Sequence, residues 1–260
     1  MRIHDKFSEL DEKDEKALIA YVCAGDPSFE ETKEIVKSLI NAGADIIELG
    51  LPFSDPVADG PTIEAAAQRA LEAGMNPDRY FELAADIDTD IPLVCMTYYN
   101  LIYQRGLEKF AEDCVNVGIR GIIVPDLPAE EADDLHNACK ENGIDLIFLV
   151  TPVTDNRRME TILNKTSGFV YVVSRLGVTG TRSDVARSTK DILDRIDTDV
   201  PKAVGFGISD KEQAAEVISE GADAVIVGSA FIKIIASGEN VNERVETLAR
   251  ELKEACRTEN

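Results

Sequence analysis

The chain has 260 residues, with 49 Asp and Glu against 27 Lys and Arg, so its formal charge is −22. Such a charge repels polyanions, and with no basic patch in the sequence it excludes nucleic acid and anionic membrane surfaces as partners. No apolar run approaches the ~18 residues that span a bilayer, and the start MRIHDKFSELDEKDEK has no signal-peptide core, so a soluble, cytoplasmic protein is expected.

The five cysteines, Cys23, Cys95, Cys114, Cys139 and Cys256, are odd in number and widely spaced. Only His4 and His136 could join them as nitrogen ligands. Neither a disulfide framework nor a zinc site is expected from that pattern. Disorder is also excluded, because 44% of the residues are hydrophobic and fall in dense blocks.

In chain order, a short N-terminal helix carrying His4 precedes a first apolar strand, Ala17–Cys23. SFEETKEIVKSLINAG then reads as a helix opening on Ser and closing on Gly. The second strand, Asp45–Leu49, leads into the loop GLPFSDPVADGPT and a helix starting near Thr62. Further strands are predicted at Pro92–Tyr98, Gly121–Val124, Asp145–Val150, Gly168–Ser174, Pro201–Gly205 and Ala222–Val227. Helix patterns such as LEKFAEDCVNVG, AEEADDLHNACKENG and SDKEQAAEVISEG lie between them, and two helices, Ser229–Ala236 and Val241–Ala255, close the chain.

Short, continuous, β-branched runs of this kind suit strands buried on both faces. Eight strand–helix units with no linker between them predict an α/β protein, a single (β/α)8 TIM barrel spanning residues 1–260 with additional helices. An open doubly wound sheet is the alternative. In a barrel the chemistry sits just after the strands, which directs attention to GLPFSDPVADGPT and to RLGVTGTRSDVA after the sixth strand.

Neither histidine lies at a strand end, so imidazole catalysis has little support and carboxylates must supply acid–base chemistry. Glu48 stands out within the apolar run ADIIELGLPF, where burial would raise its proton affinity; a carboxylate capping a neighbouring loop is the other reading. Asp59, in the turn ADGPT, is either a second functional carboxylate or a helix cap, while Asp26 and Asp55, each before proline, fit turns. The glycine-rich ends AVGFGISD and VIVGSAF each run straight into a helix, so their backbone N–H groups could hold a phosphate without Lys or Arg. Gly177 and Gly180 would either add N–H groups or loosen the loop. Tyr98, Tyr99, Tyr171 and Phe206 either line an aromatic pocket or fill the core. Lys202, near the start of its strand, is badly placed for a Schiff base.

The segment ELGLPFSDPVADGPTIEAAAQRAL resembles the signature of the tryptophan synthase alpha chain family. AYVCAGDPSFE, MTYYNLIYQRGLEKF, IIVPDLPAEE, FVYVVSRLGVTGTRS, GFGIS and GSAF match the same family in order. The resemblance implies retro-aldol cleavage of indole-3-glycerol phosphate to indole and glyceraldehyde 3-phosphate. It makes Glu48 and Asp59 the catalytic carboxylates, with Tyr171 beside the glutamate. Tyr21, Met96 and Leu127 would hold the indole ring, with Tyr21 and Cys23 standing where Phe and Thr are frequent. Gly180, Phe206, Gly207, Gly228 and Ser229 would hold the phosphate, and Thr179 would contact the aspartate when Arg175–Arg187 closes.

The resemblance further implies that this chain carries no cofactor or metal. Its partner would be a pyridoxal-phosphate-dependent beta chain in an alpha2beta2 complex, met by the loops Pro52–Gly60 and Tyr99–Tyr103. A stand-alone lyase and a non-catalytic regulatory subunit are the alternatives. Because the expected substrate is an anion, the charge of −22 is wrongly signed to attract it, and a salt-rich, halophile-like cytoplasm is the expected origin of the acidity.

Overall fold

The computed structural model describes residues 1–173, 182–205 and 207–257. Helix α1 (Ile3–Asp11) precedes β1 (Ala17–Cys23), α2 (Phe29–Asn41), β2 (Ile46–Gly50), α3 (Pro61–Glu72), α4 (Pro77–Asp86) and β3 (Leu93–Met96). Next come α5 (Tyr99–Arg105), α6 (Leu107–Asn116), β4 (Ile119–Ile123), a single 3-10 turn, α7 (Asp133–Asn142), β5 (Asp145–Ile147), β6 (Leu149–Val150) and α8 (Asn156–Leu163). The chain continues through β7 (Val170–Val173), α9 (Arg182–Arg195), β8 (Lys202–Gly205), α10 (Lys211–Ser219), β9 (Ala224–Val227), α11 (Ser229–Ser237) and α12 (Val241–Ala255).

Every strand pairing is parallel, in the order β5-β4-β3-β2-β1-β9-β8-β7-β6. The two ends of that order, β5 and β6, are halves of the single predicted strand Asp145–Val150, interrupted only at Phe148. The Phe148 carbonyl accepts from Tyr171 N–H at 3.0 Å, so the sheet closes on itself as the eight-stranded barrel expected from the sequence. Strand bounds move by a few residues. Predicted starts at Pro92 and Pro201 shift inward because proline has no ladder N–H, and Gly168, at φ +74, precedes rather than opens β7.

Alternation along the strands separates two apolar layers. Leu18, Ala20 and Val22 of β1, with Ile47 and Leu49 of β2, face the helices. Ala17, Ile19, Ile46, Val94 and Ile147 point inward, and Ile3, Phe7 and Leu10 of α1 pack against this inner set. Helix α1 thereby plugs the end where strands begin; its Phe7 ring lies 6.4 Å from that of Phe169. A Cβ at Gly121 would sit 2.8 Å from the Ile3 side chain, so the plug needs glycine there. With that end sealed, the opposite mouth is the open end of the barrel.

The helix starts follow local chemistry. Ser28 accepts the Glu31 N–H, Asn76 those of Asp78 and Arg79, Asp155 that of Arg158 and Asp210 that of Gln213. Among the described residues no helix is long and apolar enough to cross a membrane.

Candidate active site

A cavity of about 240 Å³ opens at the carboxyl ends of the strands. Glu48 reaches it because it shares the inward face of β2 with Ile46 and Gly50, opposite Tyr21 of β1 and Val94 of β3. Its carboxylate is buried, and Oε2 has no hydrogen-bond partner among the described residues. Burial, and secondarily the negative charge of Asp59, push its pKa up to about 8. Glu48 therefore holds its proton well above the usual carboxylate range, and its Oε2 caps no loop among the described residues.

Asp59 comes from the loop between β2 and α3 and lines the same cavity. Burial raises its pKa, the Tyr98 hydroxyl opposes that by donating to the carboxylate, and Glu64 adds repulsion. The Tyr98 oxygen in turn accepts the Ala58 N–H at 3.1 Å, and its ring lies 5.3 Å from Phe53. The loop is thus held by one tyrosine at two points, the Ala58 N–H and the Asp59 carboxylate. Gly60, not Asp59, caps α3, with Pro61 in its first turn, which leaves the carboxylate free of the capping role that the sequence also allowed.

The far end of α3 is anchored too. Arg69 donates two hydrogen bonds, both 2.8 Å, to the carboxylate of Asp26 in the loop after β1. The Asp26 side chain has no exposure, so this is a bidentate pair closed from water on the acid side. The sequence placed Asp26 in a turn without revealing its partner.

Tyr21 and Tyr171 are buried aromatic walls of the cavity. Two glycines make room for them: a Cβ at Gly50 would lie 2.5 Å from the Tyr21 hydroxyl, and one at Gly205 would lie 2.7 Å from that of Tyr171. Burial, reinforced by Glu48 and Asp59, holds the Tyr171 hydroxyl protonated far above its usual range. Met96 lines the cavity as expected, with Ile63, Ile123 and Leu149 adding apolar wall that sequence reasoning missed. Leu127 is buried in the outer core and does not line the cavity, a correction to its expected place on the indole wall.

Gly207, Gly228 and Ser229 also line the cavity, as the glycine-rich strand ends predicted. Gly207 adopts φ +82, open to glycine. Gly228 is the N-cap of α11 and offers no side-chain acceptor, so the first N–H groups of that helix face the cavity without a partner from the cap. Lys233 of α11 also lines the cavity, and nothing in the sequence pattern marked it. Thr179, Gly180 and Phe206 lie outside the described residues, as does most of the predicted closing segment up to the start of α9.

A barrel mouth with two carboxylates of raised pKa, one protonated and one held by a tyrosine, can both give and take protons. The fold places the protein among the (β/α)8-barrel enzymes, with the site at the carboxyl ends of the strands. A family model described as the tryptophan synthase alpha chain matches residues 7–258. A tryptophan synthase alpha chain of Methanosarcina barkeri is 64% identical over 252 residues, covering 97% of this chain and 96% of its own length.

Among solved structures, tryptophan synthase subunit alpha from Legionella pneumophila superposes with a TM-score of 0.90 at 32% identity, covering 98% of each chain. A structure of Mycobacterium tuberculosis tryptophan synthase gives 0.91 at 34%, covering 99% of each. The chain belongs to the tryptophan synthase alpha chain family. It is a lyase of tryptophan biosynthesis, the enzyme that splits indole-3-glycerol phosphate.

Proposed function

We propose that the described cavity is where this cleavage occurs, on a single barrel domain, with Glu48 and Asp59 as its catalytic residues. The bond between the indole ring and the glycerol side chain breaks only when ring carbon C3 becomes a leaving group. Protonated Glu48 delivers its proton to C3, leaving positive charge on the ring nitrogen. Ionised Asp59 accepts the hydrogen bond from that N–H and stabilises the charge. The Glu48 carboxylate then takes the proton from the side-chain hydroxyl next to the bond. The carbon–carbon pair returns to the ring, and indole and glyceraldehyde 3-phosphate leave with Glu48 protonated again. The observation that carries the reading is the buried Glu48, its pKa pushed up to about 8, lining one cavity together with Asp59.

Tyr21, Tyr171 and Met96 form the ring-binding wall in this reading. Gly207, Gly228 and Ser229 give the phosphate its N–H groups, and Thr179, Gly180 and Phe206 keep the roles the resemblance implies. The chemistry needs no cofactor or metal in this chain, because protonation of C3 alone makes the leaving group. Indole passes to a beta chain holding pyridoxal phosphate in an alpha2beta2 complex. Val57 and Tyr103, 79% and 68% exposed at the mouth, sit within the two segments expected to meet it. A cytoplasmic location belongs to the same reading.

The test is indole release from indole-3-glycerol phosphate by the purified chain, with and without a beta chain. Release that is slow alone and accelerated in the complex is expected. Fast release indifferent to the beta chain would make the protein a stand-alone lyase, and none even in the complex would make it a regulatory subunit.

A further inference from the structure

We infer that Lys233 is a binding residue for the substrate's phosphate, an inference that rests on the reading of the cavity just given. Lys233 is the one cationic side chain among the described residues that line the cavity, and it lies on α11, the helix that opens at Gly228 and Ser229 of the same lining. It is also the only charged residue of α11, whose sequence is SAFIKIIAS. Phe231, Ile232 and Ile235 bury the opposite face, and Lys233 makes no ion pair with any described residue.

Helix geometry aims this lysine. Residues four apart share a face, so Lys233 stands one turn behind Ser229, and side chains on a helix lean toward its N-terminus. A lysine stem is long enough to bring its ammonium back beside the unbonded N–H groups of the first turn. The backbone supplies direction to a phosphate but only partial charge. In a chain of −22, with two carboxylates lining the cavity, a full positive charge beside the start of α11 sets which way round an anionic substrate enters. The glyceryl phosphate is drawn to α11, and the neutral ring falls between the tyrosines.

The experiment compares Lys233→Met and Lys233→Arg, each assembled with a beta chain, with the parent chain. Lys233→Met is expected to raise the KM for indole-3-glycerol phosphate about five- to tenfold, the loss falling on KM rather than kcat. The Kd of glyceraldehyde 3-phosphate should weaken by the same factor while that of indole stays put, and the salt dependence of KM should flatten. Lys233→Arg should recover most of the loss. A Lys233→Met variant with parental KM and parental affinity for glyceraldehyde 3-phosphate overturns the inference, as does equal weakening toward indole, which would mark damage to the fold. If the parent complex releases no indole, the reading of the cavity fails on its own, and the comparison of glyceraldehyde 3-phosphate affinities still decides the lysine.

Discussion

Glu48, on the inward face of β2, and Asp59, in the loop between β2 and α3, line the same cavity. Burial, and secondarily the charge of Asp59, push the pKa of Glu48 up to about 8, while burial raises that of Asp59 and the Tyr98 hydroxyl opposes the rise. In the proposed cleavage the glutamate gives the proton and the aspartate accepts the ring N–H, so the two carboxylates need different environments.

Replacing Glu48 by Gln keeps the volume and removes the proton donor, and kcat should fall by roughly 10²–10⁴. In the parent enzyme the alkaline limb of the pH–rate profile should lie near the Glu48 value of about 8. The same residue makes stability depend on pH with a definite sign. Its folded pKa lies above the 4.5 of the unfolded chain, so the folded state holds the proton longer, and each rise in pH between about 4.5 and 8 weakens the parent fold. Thermal melts of both proteins over that window should show the Gln variant gaining relative to the parent as pH rises, by roughly 2–4 kcal/mol in all. A constant difference would mean that Glu48 titrates normally.

Tyr98→Phe should act through Asp59. The phenol lowers the proton affinity of Asp59 by donating to it, and also receives the Ala58 N–H. Without it Asp59 stays protonated to higher pH, so the acid limb of the profile should move up, and kcat at neutral pH should fall about tenfold as the loop loses its anchor. The pH shift is the decisive readout, since a merely loosened loop would lower activity without moving the limb.

The barrel was legible because parallel strands buried on both faces leave continuous apolar runs, and the eight predicted runs overlap the strands observed. Glu48 was legible for the same reason: a carboxylate inside such a run has no solvent to escape to. The partners that tune the site were not, because they arise from contacts between distant segments. Arg69 lies 43 residues from Asp26 and Tyr98 lies 40 residues from Ala58. Lys233 sits in a helix whose pattern speaks only of burial, and Leu127 followed the resemblance but points into the outer core.

The charge of −22 predicts a response to salt, and two opposing effects decide its direction. The ion pairs are mostly on the surface, such as Lys13–Glu9, Lys109–Asp113 and Lys211–Glu254, and each contributes about 0–1 kcal/mol that salt weakens. Against them stands the mutual repulsion of the uncompensated acids over the whole surface, which a Debye length near ~3 Å at 1 M salt removes. Repulsion should win, and the melting temperature should rise from low to molar KCl. Equal melting temperatures at both ends of the series would remove the salt-rich cytoplasm as an explanation of the acidity.

Gly50→Ala tests how closely the cavity wall is packed. The new Cβ would lie 2.5 Å from the Tyr21 oxygen and 2.9 Å from two of its ring carbons, at a strand position fully buried in β2. The ring is itself buried, so it has little room to yield, and a cost of about 1–3 kcal/mol in stability is expected with a raised KM. Tyr21→Leu removes the atoms in collision, so the double variant should be more stable than the two single losses added together. Simple additivity in a double-mutant cycle of melting free energies would show that the ring moves aside freely, and that the glycine is not what sets its place.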